Sequence, residues 1–232
     1  MKEERRYAVL KRILIYVLGI IVLALGITLN TKTNLGVSPV ISAAYCAAGL
    51  TGIGFGTATF IEYMILIGLQ AAILRRNFKP WQLLQIGASF LTSFFIDIYD
   101  TVLPTAQSMA VRLVLLAAAI VITSMGIILT VGMEIVPNPA DGFASVLGKV
   151  LKRNLGFGKN VLDLSCILLA VALGLLAEGR IIGIGIGTVL TMILTGRVVA
   201  LISRRTSPVC QRIVEESRRN AHEPERGAGK TI

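Results

Sequence analysis

Six apolar runs, each long enough to cross a lipid bilayer as a helix, fill most of this chain and leave it few choices of fold. They lie near residues 10–31, 56–75, 81–100, 109–132, 159–178 and 182–203. A helix of roughly 20 residues, rising about 1.5 Å each, covers the hydrocarbon core of a membrane. Hydrocarbon offers backbone groups no water to bond, so a spanning segment must satisfy its own N–H and C=O groups. The runs are continuous rather than alternating, which points to helices. With 54% hydrophobic and only 16% charged residues and a mean hydropathy of +0.76, nearly the whole chain is a multispanning membrane protein.

Two further segments, 38–50 and 139–151, are too brief to cross. Each follows a long apolar run and a small polar residue before proline: Thr33-Asn34-Leu35-Gly36-Val37-Ser38-Pro39 and Met133-Glu134-Ile135-Val136-Pro137-Asn138-Pro139. These stretches stand one hundred residues apart, as do Gly26 and Gly126, Leu29 and Leu129, Gly87 and Gly187, and Asp97 and Arg197. Gly54-Phe55-Gly56 and Gly156-Phe157-Gly158 match with a slip of two. The recurrence reads as an internal duplication. Three spans per half would turn the second copy upside down relative to the first, an inverted repeat.

The expected fold is therefore an all-α membrane protein of six transmembrane helices plus two short re-entrant or half helices, built as an inverted internal repeat. Residues 1–104 form the first repeat, 105–205 the second, and 206–232 a polar cytoplasmic tail expected to be disordered, with a surface helix over part of it as the alternative.

Charge orients this arrangement. The net charge is +10, but the basic residues stand at the ends of apolar runs without interleaved aromatics, so they mark topology rather than a nucleic-acid surface. Six spans with both short segments returning to the side they left keep Arg75, Arg76, Lys79, Lys149, Lys152, Arg153, Lys159 and both termini cytoplasmic. Only Lys32, Arg112 and Arg180 then lie outside. Eight crossings would strand the Arg75-Arg76-Lys79 cluster on the outer face. The expected location is the bacterial cell (inner) membrane.

Ser38-Pro39 and Asn138-Pro139 each read as a helix N-cap followed by proline in the first turn. A helix starting within the membrane presents free N–H groups and the positive end of its dipole to whatever lies there; a surface start would make both ordinary caps. Asn138-Pro139-Ala140 is also the tripeptide with which aquaporin half-helices begin, an analogy of shape only. Glu62 and Asp163 lie inside long apolar helices at nearly matching positions, where a carboxylate must face the bundle interior or a wet cavity unless it reaches the headgroups. With Asn34, Ser38, Asn138 and Asp141 they make the candidate substrate-binding set. Gln70, Gln85 and Asn160 supply hydrogen bonds between helices, and Gly183-Ile184-Gly185-Ile186-Gly187 permits close helix approach.

Cys46, Cys166 and Cys210 are isolated and read as buried, inert thiols, and the single histidine, His222, lies in the tail. No catalytic set stands out, and no enzyme activity, cofactor, metal or nucleic acid is expected. The expected partners are membrane lipids, a small-molecule solute and protons. No motif speaks to oligomeric state.

The combination of Asn34-Leu35-Gly36-Val37-Ser38-Pro39, Gly54-Phe55-Gly56-Thr57 and Pro139-Ala140-Asp141-Gly142 resembles the YczE/YyaS/YitT group of bacterial integral membrane proteins over residues 8–203. The resemblance implies a membrane protein and, through its relatives, export or transport of a small solute. The chain is expected to lack the soluble carboxyl-terminal domain of the YitT branch and to stand closer to the YczE branch. The reading that joins these strands is a secondary transporter of a zwitterionic or proton-linked solute, with its site at the repeat interface. A passive channel of aquaporin-like shape and a scaffold for a partner enzyme are the alternatives.

Overall fold

A computed structural model describes residues 2–222, which are helical apart from short connections. The helices are α1 (Lys2–Thr31), α2 (Ser42–Thr51), α3 (Phe55–Leu74), α4 (Leu84–Val102), α5 (Met109–Gly132), α6 (Pro139–Val150), α7 (Leu155–Glu178) and α8 (Ile186–His222). Single 3-10 turns at Pro39–Ile41, Arg75–Asn77 and Pro80–Leu83 precede α2 and α4.

Local chemistry sets the boundaries. Ser108, Asn138 and Asn154 cap α5, α6 and α7 by accepting from Val111, Ala140 and Phe157 N–H. Gly52 and Gly179 end α2 and α7 in the left-handed conformation, at φ 74° and 67°. The start of α3 has no side-chain cap of its own; Asp97 of α4 supplies one, accepting from Gly56 N–H at 2.6 Å. A carboxylate facing a helix N-terminus gains from the dipole and ties the two helices together.

Five helices are long and apolar enough to cross a membrane: α1, α3, α5, α7 and α8. The sixth run, expected at 81–100, does form α4, but this helix falls short of the same apolarity. Its inward face carries Gln85, Ser89, Thr92 and Ser93, all buried, and its far end carries Asp97 and Asp100. The short segments appear where expected, as Pro39–Thr51 and Pro139–Val150.

The α1–α5 pair is the axis of the molecule. A Cβ on Gly26 would stand 2.5 Å from Thr123 N, and one on Gly126 would stand 2.5 Å from Leu23 N. The two contacts are reciprocal, since each glycine meets the residue matching the other's neighbour one hundred positions away. Around this pair, α2 packs on α7 and α3, α6 packs on α3 and α7, α4 packs on α1, and α8 packs on α5. Asn34 and Glu134, also one hundred apart, both adopt positive φ, 55° and 48°, in the turns after α1 and α5.

Hydroxyls buried in these helices are satisfied locally. Thr28, Thr59, Ser89, Ser124 and Thr130 each donate to the carbonyl four residues back. Large apolar side chains such as Leu18, Ile65, Phe90, Val114, Leu168 and Leu176 are exposed on the outer surface, where lipid would cover them.

The tail differs from expectation, because α8 continues through Pro208 to His222. The reason is an apolar stripe: Cys210, Val214 and Ser217 are buried, Cys210 packs with Met133, Tyr16 and Ile20, and Arg218 pairs with Glu134 at 2.6 Å. Residues 223–232 lie outside the described part.

Candidate functional site

A cavity of about 230 Å³ lies between the two halves, against the α1–α5 pair. Much of its wall is made of residues one hundred apart: Leu23 with Thr123, Ile27 with Ile127, Ser38 with Asn138, Val40 with Ala140, Ile41 with Asp141, and Tyr63 with Asp163. The starts of both short helical segments therefore meet in one place. The remaining wall comes from Pro39 and from α7 and α8, including Lys159, Asn160, Thr191, Met192 and Thr195.

Of the six candidate residues, Ser38, Asn138, Asp141 and Asp163 are brought together here. Asn138 accepts from Ala140 N–H at 3.0 Å, and its amide reaches the Tyr63 hydroxyl at 3.5 Å. Ser38 occupies the corresponding place before Pro39 but makes no side-chain cap, since a 3-10 turn separates it from α2. Asp141 lies in the first turn of α6, where the helix dipole favours a carboxylate.

Asp163 is the most conspicuous group. Its side chain is only 4% exposed, and Oδ1 accepts no hydrogen bond. The nearest cation, Lys159 one turn earlier on α7, is 39% exposed, with Nζ 3.6 Å away. Thr195 Oγ1, on the facing wall, is likewise buried without a partner. Such groups in a low-dielectric interior are costly unless something bonds them.

Glu62 and Asn34 are placed elsewhere. The expectation put Glu62 beside Asp163 in one cavity, but its carboxylate turns toward α2 and α7. There Oε2 accepts from Ala44 N–H at 3.1 Å, and Oε1 accepts from Cys166 Sγ at 3.6 Å. Cys166 stands one turn from Asp163 on α7, so the two acids flank the same turn and face different surroundings. The rotation of α3 about its axis decides this: Tyr63, not its neighbour Glu62, points into the cavity. Asn34 lines a second hollow of about 410 Å³ at one end of the bundle, bounded by Tyr45, Arg180 and the Gly183–Ile186 backbone.

Several residues here were not singled out from sequence as site residues. Lys159 reads in sequence as a topology marker, although its i, i+4 spacing to Asp163 is a signal of pairing. Tyr63, Thr123, Thr191 and Thr195 carry no sequence signal beyond being polar in apolar helices. Behind the cavity, Gln70 and Gln85, both fully buried, exchange hydrogen bonds at 3.2 and 3.4 Å, and Gln70 also donates to the Pro139 carbonyl at 3.1 Å. Among the described residues, no three His, Cys, Asp or Glu side chains gather as a metal site would require.

The chain is 26% identical over 184 residues to the uncharacterized protein YyaS of Bacillus subtilis (strain 168), covering 78% of this chain and 87% of that protein. It is 26% identical over 182 residues to the uncharacterized membrane protein YczE of the same organism, covering 78% of this chain and 80% of that protein. No solved structure matches it significantly. The model of the Family of unknown function (DUF6198) matches residues 10–204, nearly the whole helical bundle, and the chain belongs to that family, in the YczE/YyaS group of membrane proteins.

Proposed function

We propose that this protein is a secondary transporter of a small, proton-coupled solute in the bacterial cell (inner) membrane, with its site in the central cavity. The observation that carries the reading is the paired wall of that cavity, where matching residues of the two halves meet. Sites at the interface of two repeats, near the ends of interrupted helices, are the usual arrangement in secondary transporters. The reading assigns the protein no chemical step.

The reading takes the topology to be an inverted repeat with re-entrant helices, and contacts at the two ends of the bundle support it. Val37 N–H bonds the Gly183 carbonyl at 2.8 Å on the way in, and the Tyr45 ring packs on Gly183 on the way out. Both contacts support a reading in which the α2 segment returns to the end of the bundle it left. At the other end, Arg12 donates to the Met133 and Glu134 carbonyls, and Tyr16 donates to the Val136 carbonyl as the chain turns in toward α6. In the proposed orientation that end is cytoplasmic, with both termini.

Orientation is tested by thiol labelling in a background lacking Cys46, Cys166 and Cys210. Single cysteines at Asn77 and Arg153 are expected to react only from the cytoplasmic side, and one at Gln107 only from outside. Arg153 is preferred to Asn154, whose side chain caps α7. Asn77 and Arg153 labelling from opposite sides would reject the topology.

Transport is tested in proteoliposomes carrying a pH gradient and an entrapped pH dye, challenged with small amines, amino acids and carboxylates. Solute-dependent proton flux and uphill accumulation are expected in the wild type. Asp163→Asn is expected to reduce the flux by roughly tenfold or more, the scale of losing one buried charge-assisted contact. Flux that only runs downhill and ignores the proton gradient would favour a channel instead.

A further inference from the structure

We propose that the central cavity takes a small organic ammonium ion with a hydrocarbon body, that Asp163 is its counter-ion, and that Lys159 holds the carboxylate when the cavity is empty. The proposal rests on reading this cavity as the transport site and names the solute class for it.

The two membrane-embedded acids differ in a way that separates their roles. Glu62 is satisfied by the protein, through Ala44 N–H and Cys166 Sγ, and clasps α3 to α2 and α7. Asp163 lines the cavity, and its buried Oδ1 accepts no hydrogen bond. Thr195 lines the same space, and its Oγ1 is also buried and unpartnered. A ligand that completes both must bring hydrogen-bond donors, and opposite a carboxylate a positive charge is favoured as well.

An anionic end is disfavoured. The α6 start, the natural seat for a solute carboxylate, is already engaged: Asn138 Oδ1 accepts from Ala140 N–H, and Asp141 holds a carboxylate in the first turn. Two carboxylates against the single ammonium of Lys159 line the cavity. The rest of the wall includes Leu23, Ile27, Val40 and Ile127, which suits an alkyl or aryl group and not a hydrated inorganic ion. Lys159 is an internal stand-in for the ligand's ammonium. It sits 3.6 Å from Asp163, beyond hydrogen-bond reach, on a side chain exposed enough to swing aside.

The test uses the full chain, purified in detergent and titrated calorimetrically at neutral pH with 2-phenylethylammonium, 2-phenylethanol and 3-phenylpropionate. The ammonium is expected to bind saturably, and the alcohol and the acid at least about tenfold more weakly, as loss of one charge-assisted contact implies. Asp163→Asn is expected to weaken ammonium binding by about tenfold or more, while Glu62→Gln stays within about twofold. Lys159→Gln is expected to tighten it by roughly threefold or more by removing the internal competitor. Equal binding of the neutral or anionic probe, indifference to Asp163→Asn, or no binding of the ammonium by the wild type would overturn the proposal. Should Asp163→Asn fail to run as a single species on size exclusion, Lys159→Gln decides, and unchanged or weaker affinity in that variant counts against it. Counterflow of the same probes in proteoliposomes separates the two readings. Ammonium bound but never carried leaves the site and removes the transporter; a neutral or anionic solute carried through this cavity does the reverse.

Discussion

Gly126→Leu is expected to abolish accumulation of folded protein, and Gly26→Leu to do nearly the same. At Gly126 even a single Cβ would stand 2.5 Å from Leu23 N and 2.6 Å from its Cα, and at Gly26 it would stand 2.5 Å from Thr123 N. Both partners are backbone in the facing helix, so no rotamer change relieves the clash and the helices must separate. Separation undoes the α1–α5 contact on which the cavity wall is built. Overpacking commonly costs about 1–3 kcal/mol, and a forced backbone displacement here should exceed that range. Gly68 and Gly87 are the controls: a Cβ at either meets nothing within 4 Å. Alanine there should be neutral or should stabilise by roughly 0.5–1 kcal/mol through helix propensity. Fluorescence-detected size exclusion of the four variants reads the contrast directly. A monodisperse, normally abundant Gly126→Leu protein would mean that α1 and α5 do not cross as described.

Gln70→Leu carries the second large effect. Gln70 and Gln85 are fully buried and exchange hydrogen bonds, while the second Gln70 N–H holds the Pro139 carbonyl at the start of α6. Leucine at position 70 strands both polar atoms of Gln85 in the bundle interior. Each orphaned group costs on the order of 1–3 kcal/mol, so the single variant should lose roughly 2–6 kcal/mol. Replacing both glutamines by leucine removes the stranded Gln85 groups along with their partner, leaving only the Pro139 carbonyl without its Gln70 bond. The double variant is therefore expected to unfold at a higher temperature in detergent than Gln70→Leu alone. A double variant less stable than the single would show that the pair does not act as one closed unit. Because Gln70 also touches the start of α6, the single variant should loosen Asn138 and with it the cavity.

Much of this molecule is written in local sequence. Apolar runs of bilayer length, broken by Pro39, Pro80, Pro104 and Pro139, fix where helices start and stop, because helix formation in an apolar solvent depends on the segment itself. The two short segments were legible for the same reason, and Gly26 and Gly126, one hundred positions apart in sequence, make reciprocal contacts in the α1–α5 pair. Asn138 before Pro139 was readable as a helix start, since capping needs only neighbours.

What the sequence could not supply was direction. Glu62 and Asp163 look alike in sequence, each a lone acid in an apolar helix, yet one is bonded by Ala44 and Cys166 and the other faces the cavity without a hydrogen bond. That difference depends on how α3 and α7 are rotated against partners far away in the chain. The same holds for α4, whose Asp97 caps α3, and for the end of α8, where Cys210 and Ile213 find a surface on residues more than seventy positions earlier. Local sequence determined which segments are helices and which of them are too short to span, because backbone hydrogen bonding is settled within each segment. Only the tertiary packing decided which polar groups share a cavity, because that follows from the crossing of helices brought together by close backbone contact at a few glycines.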